Sequence, residues 1–197
     1  MIIAHNLSTI RTKLIINSIY SIIIVHEELV YLYLGSIYMD IKEKIISVIR
    51  EAYPYIKQIQ DDCFVIGSAA LILSGVEIEN TFDIDIVTSN RDADFLRKEW
   101  KERFVDNHIS KHDNLFRSNF SRYNFDILDI EIMGNLKVYK NSVWEPLIIQ
   151  DYIIFSENEI KIKLPTIKEQ KRILEWFGRD KDMIKLNLIK KQLYFSI

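Results

Sequence analysis

The sequence predicts an α/β (α+β) chain that runs from a helix through a series of strands to a closing pair of helices. Three observations carry this expectation. Two segments, 81–88 (TFDIDIVT) and 125–133 (FDILDIEIM), alternate acidic and apolar residues with period two, the pattern of strands with one polar face. Two others, 40–60 and 167–195, carry apolar residues at helical spacing. Between them Cys63-Phe64-Val65-Ile66 is a short apolar run ending at Gly67-Ser68, punctuation that ends a strand and opens a helix.

Taken in order, the first helix spans 40–60, with Ile41, Ile45, Ile46, Val48 and Ile49 on its apolar stripe, Asp40 as its cap and an interruption at Pro54. The strand at Cys63–Ile66 leads through Gly67-Ser68 into a helix from Ala69 to Ser74 that closes at Gly75. The acidic strand 81–88 follows, then a helix over 91–104. Residues 106–124, polar and aromatic with His108, His112, Arg117 and Arg122, read as loop or irregular strand. The second acidic strand, 125–133, ends at Gly134, Trp144-Glu145-Pro146 marks a turn, and short strands are expected near 147–154 and 160–164. Pro165-Thr166 signals a helix start, Ile167–Phe177 forms that helix with Gly178 as its stop, and 180–195 forms the last one.

The 197 residues suit one ordinary domain, and a 48% apolar content with only 5 Gly and 3 Pro excludes wholesale disorder. A formal charge of −2 offers no global field for nucleic acid, and no DNA-binding patch is evident. From Lys161 to Lys191, however, ten Lys and Arg stand against four Asp and Glu. The single Cys63 excludes an internal disulfide and a cysteine zinc site and suits a reducing cytoplasm; in an apolar strand it is expected to be inert. His5, His26, His108 and His112 are too scattered for zinc-ligand spacing. Tyr53, Tyr55, Trp100, Trp144 and Trp176 read mostly as core residues. The apolar run from Leu14 to Val25 is short of the roughly 20 residues of a membrane span and is followed by His26-Glu27-Glu28 rather than a cleavage site, so no membrane role is expected. Residues 1–38 read as an N-terminal extension, with Met39 as an alternative start, and 39–197 as the working domain, its C-terminal helices beginning near 166.

On a strand, residues two apart share a face, so Asp83 and Asp85 stand side by side and repel. A divalent cation relieves that repulsion, and hard Mg²⁺ prefers such oxygen ligands. Gly67-Ser68 at the strand end supplies backbone N–H groups and a hydroxyl suited to phosphate oxygens. Alternation puts Asp129 and Glu131 on one face of the later strand and Asp126 on the other.

Together, Ile66-Gly67-Ser68-Ala69-Ala70-Leu71-Ile72-Leu73-Ser74-Gly75, Thr81-Phe82-Asp83-Ile84-Asp85-Ile86 and Ile130-Glu131-Ile132-Met133-Gly134 resemble the signature of the DNA polymerase β nucleotidyltransferase superfamily. The likeness is strongest to small stand-alone bacterial and archaeal members, whose Leu-Pro and Gly-Arg C-terminal features match Leu164-Pro165 and Gly178-Arg179. It covers about residues 40–190 and implies a mixed β-sheet flanked by helices with a C-terminal helical pair. It further implies transfer of a nucleoside monophosphate from a nucleoside triphosphate such as ATP to a small-molecule, RNA or protein hydroxyl, with release of pyrophosphate. Asp83, Asp85 and Glu131 would be the catalytic carboxylates and would hold two Mg²⁺ ions, or Mn²⁺, with Glu131 also the candidate base. Gly67 and Ser68 would hold the phosphates, aided by Arg179 and Lys181. Glu131 is preferred to Asp129 because it occupies the acidic position of the Glu-Ile-Met-Gly motif. Leu71-Ile72 stands where antitoxin-type members usually carry Arg-Gly, which weakens an antitoxin assignment. The alternatives are a non-catalytic nucleotide- or partner-binding module, or one half of a toxin–antitoxin or phage-defence pair. The sequence leaves the acceptor and the oligomeric state open.

Overall fold

A computed structural model describes residues 39–106 and 114–195. The apolar run at Leu14–Val25, the extension 1–38 and all four histidines lie outside the described residues. From Asp40 onward the chain is one compact unit. No described helix is long and apolar enough to cross a membrane.

The elements are α1 (Ile41–Ile56), β1 (Phe64–Ile66), α2 (Gly67–Leu73), β2 (Asp83–Thr88), α3 (Asn90–Glu99), a single 3₁₀ turn (Lys101–Arg103), β3 (Phe116–Phe125), β4 (Leu128–Lys140), β5 (Val143–Pro146), β6 (Tyr152–Glu157), β7 (Ile160–Pro165), α4 (Ile167–Phe177) and α5 (Asp180–Phe195). Seven strands make one mixed sheet in the order β3-β4-β2-β1-β7-β6, with β5 added on β4. β2 runs parallel to β4 and β1 parallel to β7, while the β1–β2, β3–β4, β4–β5 and β6–β7 pairs are antiparallel.

Capping sets the helix starts where the sequence places them. Asp40, Ser89 and Thr166 each accept a hydrogen bond from the backbone N–H three residues on, at 2.8 to 3.2 Å. Gly178, with φ +68°, closes α4 in the left-handed conformation. Pro54 lies inside the last turn of α1 and does not end it, because a proline there costs one hydrogen bond and the helix stops two residues later.

One face of the sheet is covered by α1 and α3 over Ile45, Ile49, Leu96, Trp100, Ile130 and Ile132. On the other, Ile173 and Phe177 of α4 pack on Phe64, Ile66, Val87, Leu136 and Val138. Leu71, Leu174, Leu186 and Ile189 tie α2, α4 and α5 together.

Three sequence expectations need correction around β4. Within 106–124, read as loop or irregular strand, the described residues from Phe116 form a ten-residue strand to Phe125, with a register shift between Arg117 and Asn119. The run 125–133 is not one strand, because Asp126 adopts φ +60° and its N–H donates to Asn124 Oδ1 at 3.2 Å, making the hairpin turn between β3 and β4. Nor does the strand end at Gly134. Register shifts beside Asn135, which has φ +49°, and β4 continues to Lys140. That bulge places Leu136 and Val138 in the same cluster as Met133, so the apolar face against α4 continues although the alternation in the sequence breaks.

Candidate active site

The parallel pairing of β2 and β4 sets Asp83 opposite Asp129 and Asp85 opposite Glu131. Register partners point to the same face, so four carboxylates stand two by two on one side of the sheet. β3 extends both rows, with Arg122 opposite Glu131 and Asn124 opposite Asp129. Phe120 and Met133 form the next row, the start of the apolar floor under α4.

Electrostatics divides the four carboxylates. Asp129 is neutralised locally, accepting from Arg122 Nε at 2.7 Å and Asn124 Nδ2 at 3.1 Å. Asp85 is not: burial first, then the charges of Asp83 and Glu131, push its carboxyl up to about 7 against the pull of Lys185 and Lys181. Burial and Asp83 also raise Glu131, against the pull of Arg122 and Lys181. Arg122 Nη1 meets Glu131 Oε1 at 3.1 Å.

Behind Asp85 the chain leaves no room. Gly67 has φ +70°, and a Cβ there would lie 2.4 Å from Asp85 Oδ2. The glycine thus permits both the turn into α2 and the close approach of a carboxylate to that turn. On the far side of the cavity, Arg179 is fixed by Asp182 through Nε and Nη2 at 2.7 and 2.8 Å, with its guanidinium over Phe116 and Phe177. Lys185 is half-buried, and the loss of water around its ammonium lowers its pKa.

A cavity of about 700 Å³ brings together all seven residues singled out in the sequence: Gly67, Ser68, Asp83, Asp85, Glu131, Arg179 and Lys181. Arg122 and Lys185 line it too. Sequence reasoning missed those two as site residues. Lys185 was one cation among ten, and Arg122 lay in a stretch whose strand periodicity is hidden by polar and aromatic residues on both faces. The expectation that Cys63 is inert agrees with its thiol, which burial pushes up to about 12, although the residue precedes β1 rather than lying in it.

The donor set fits a divalent cation, since Asp83, Asp85 and Glu131 offer hard oxygens on one face and line one cavity. Among the described residues no three such groups already stand at metal-binding spacing. A cation would therefore have to draw the carboxylates together.

No family model and no curated protein matches the chain. Among solved structures it is similar to a candidate nucleotidyltransferase from Thermotoga maritima, with 22% identity and a TM-score of 0.62 over 80% of this chain and 97% of that one. Weaker likenesses are to the lincosamide antibiotic adenylyltransferase LnuA, lincomycin-bound, at 12% identity and TM-score 0.49 over 77% and 98% of the two chains. A complex of ANT(2")-Ia with adenylyl-2"-tobramycin gives 8% identity and 0.42 over 77% and 86%. The chain therefore has the nucleotidyltransferase fold, a mixed sheet flanked by helices with two further helices at its C-terminal end.

Proposed function

We propose that this chain is a nucleotidyltransferase that moves a nucleoside monophosphate from a nucleoside triphosphate, ATP among them, to an acceptor hydroxyl, releasing pyrophosphate. The observation that carries this reading is the single cavity in which Gly67-Ser68, the carboxylates of β2 and β4, and the cations of α5 meet.

In this mechanism Gly67 and Ser68 hold the β- and γ-phosphates, and Lys181, Lys185 and Arg179 offset their charge. Asp83, Asp85 and Glu131 would hold two Mg²⁺ or Mn²⁺ ions, which when bound polarise the phosphoryl oxygens and acidify the acceptor hydroxyl. Glu131 accepts the acceptor's proton, a role helped by the burial and the Asp83 charge that make it more basic than an ordinary glutamate. The acceptor oxygen attacks the α-phosphorus in line, the bond to the bridging oxygen breaks, and pyrophosphate leaves. Incubating the full chain with α-labelled nucleoside triphosphates, Mg²⁺ and a metabolite, RNA or protein mixture tests this. Transferred label with matching pyrophosphate release is expected. Its absence under all nucleotides and both metals would overturn the reading.

Because Asp129 is already neutralised, Glu131→Gln is expected to lower kcat about 10²-fold or more, while Asp129→Asn stays within a few-fold of the parent. Steady-state kinetics of the two variants check this.

We further propose that 39–197 is the working domain and that it acts in the cytoplasm. A chain beginning at Met39 is expected to keep the melting temperature and nucleotide affinity of the full chain. Calorimetry on the two proteins decides, and aggregation of the shorter one would count against the boundary.

A further inference from the structure

The pairing of β2 with β4 puts four carboxylates on one face, whereas the proposed chemistry uses three. Arg122 is the residue that distinguishes them. Its Nε binds Asp129 Oδ2 at 2.7 Å and its Nη1 lies 3.1 Å from Glu131 Oε1. Asn124, one row along on β3, takes the second oxygen of Asp129 at 3.1 Å. Both oxygens of Asp129 are thereby committed to β3, while Glu131 stands opposite Asp85 in the β2–β4 register. The guanidinium is itself only 19% exposed, so its charge acts where water screens it weakly.

We propose that Arg122 is a positioning residue that withdraws Asp129 from the ligand set and orients Glu131 toward Asp85, leaving three carboxylates for the cation. This rests on the nucleotidyltransferase reading and adds to it the device that sets its ligand count. A planar guanidinium suits the task because its rigid fork fixes the geometry of both carboxylates at once, whereas an ammonium is a flexible point charge.

The experiment uses the full chain and counts bound Mn²⁺ by electron paramagnetic resonance with a non-hydrolysable nucleoside triphosphate present. Melting in chelator is measured in parallel. Asp129→Asn is expected to leave the number of bound ions and their affinity unchanged, since Asp129 is not a ligand. Arg122→Ala is expected to melt several degrees lower in chelator and to bind Mn²⁺ tenfold more tightly or take an extra ion. The double variant R122A/D129N should recover part of the lost melting temperature and return to the parent ion count. Arg122→Lys should restore melting but not the ion count, a split that a merely structural arginine would not give. Loss of an ion in Asp129→Asn would overturn this proposal alone, and that arm decides even if Arg122→Ala does not fold. Unchanged melting and Mn²⁺ binding in Arg122→Ala would also overturn it. A parent chain that binds no Mn²⁺ would instead overturn the transferase reading, and this proposal with it.

Discussion

Asp85→Asn is expected to abolish nucleotidyl transfer, by about 10³-fold or more, and at the same time to raise the melting temperature of the metal-free protein. The two effects have one cause. Asp85 is pressed between the Gly67 turn and the charges of Asp83 and Glu131, and its carboxyl is pushed up to about 7 from an ordinary 3.8. In the unfolded chain it ionises near 3.8, so between that pH and about 7 the folded state binds more protons than the unfolded one. Stability contributed by this group therefore falls as pH rises through that window and is level above it. Asparagine carries no charge to repel, so the gain should be largest at pH 7–8, smaller near pH 5 and absent below about pH 4. Differential scanning calorimetry in chelator across that range, set beside turnover with Mg²⁺, measures both effects. Asp83→Asn should lose activity equally. Turnover that survives in both variants would remove them from the site.

Opposite effects on stability and activity would mark a residue kept for function, and the carboxylates proposed for that role were the most legible part of the sequence. Asp83, Asp85 and Glu131 sit on strands whose alternation is visible residue by residue, and a period of two fixes the face without knowledge of the partner strand. Helix limits were equally legible where a cap marks them, through the side chain of Thr166 at the start of α4 and the left-handed backbone of Gly178 at its end. The strand order was not legible from periodicity, since nothing local in Asp83 or Glu131 encodes that β2 and β4 are parallel neighbours. The family resemblance supplied only the expectation that Glu131 joins Asp83 and Asp85.

The misread segments share a physical cause. In β3 both faces carry polar or aromatic side chains: Phe116, Phe120 and Arg122 toward the cavity, and Ser121, Tyr123 and Phe125 toward α1 and α3. Hydrophobic alternation vanishes when a strand has a functional face and an aromatic-rich core face. At Asp126 and Asn135 the backbone takes positive φ at residues other than glycine, which breaks a pattern that looks continuous in one case and continues one that looks broken in the other. Arg122 was lost with its strand, although its chemistry is the clue to why one of two acidic residues on β4 is proposed to act and the other is not.

Gly67→Ala is expected to be nearly as damaging as loss of Asp85, through geometry instead of charge. The added methyl would lie 2.4 Å from Asp85 Oδ2, and the backbone at φ +70° is one that alanine adopts at a cost of about 1–2 kcal/mol. Either the turn opens, displacing Ser68, which is proposed to hold phosphate, or the carboxylate moves, and a displacement near 1 Å at a reacting centre can cost about 10²-fold in rate. Gly75 provides the control. It has φ +88° but nothing within 4 Å of where a Cβ would stand, so Gly75→Ala should carry the backbone cost alone and keep its turnover. Combining Gly67→Ala with Asp85→Ala removes the atom that the methyl strikes. In urea unfolding the pair should be less destabilised than the sum of the single changes, the excess of the sum being the clash itself. Simple additivity in that cycle would show that Gly67 and Asp85 do not press on one another, and that the glycine serves the turn alone.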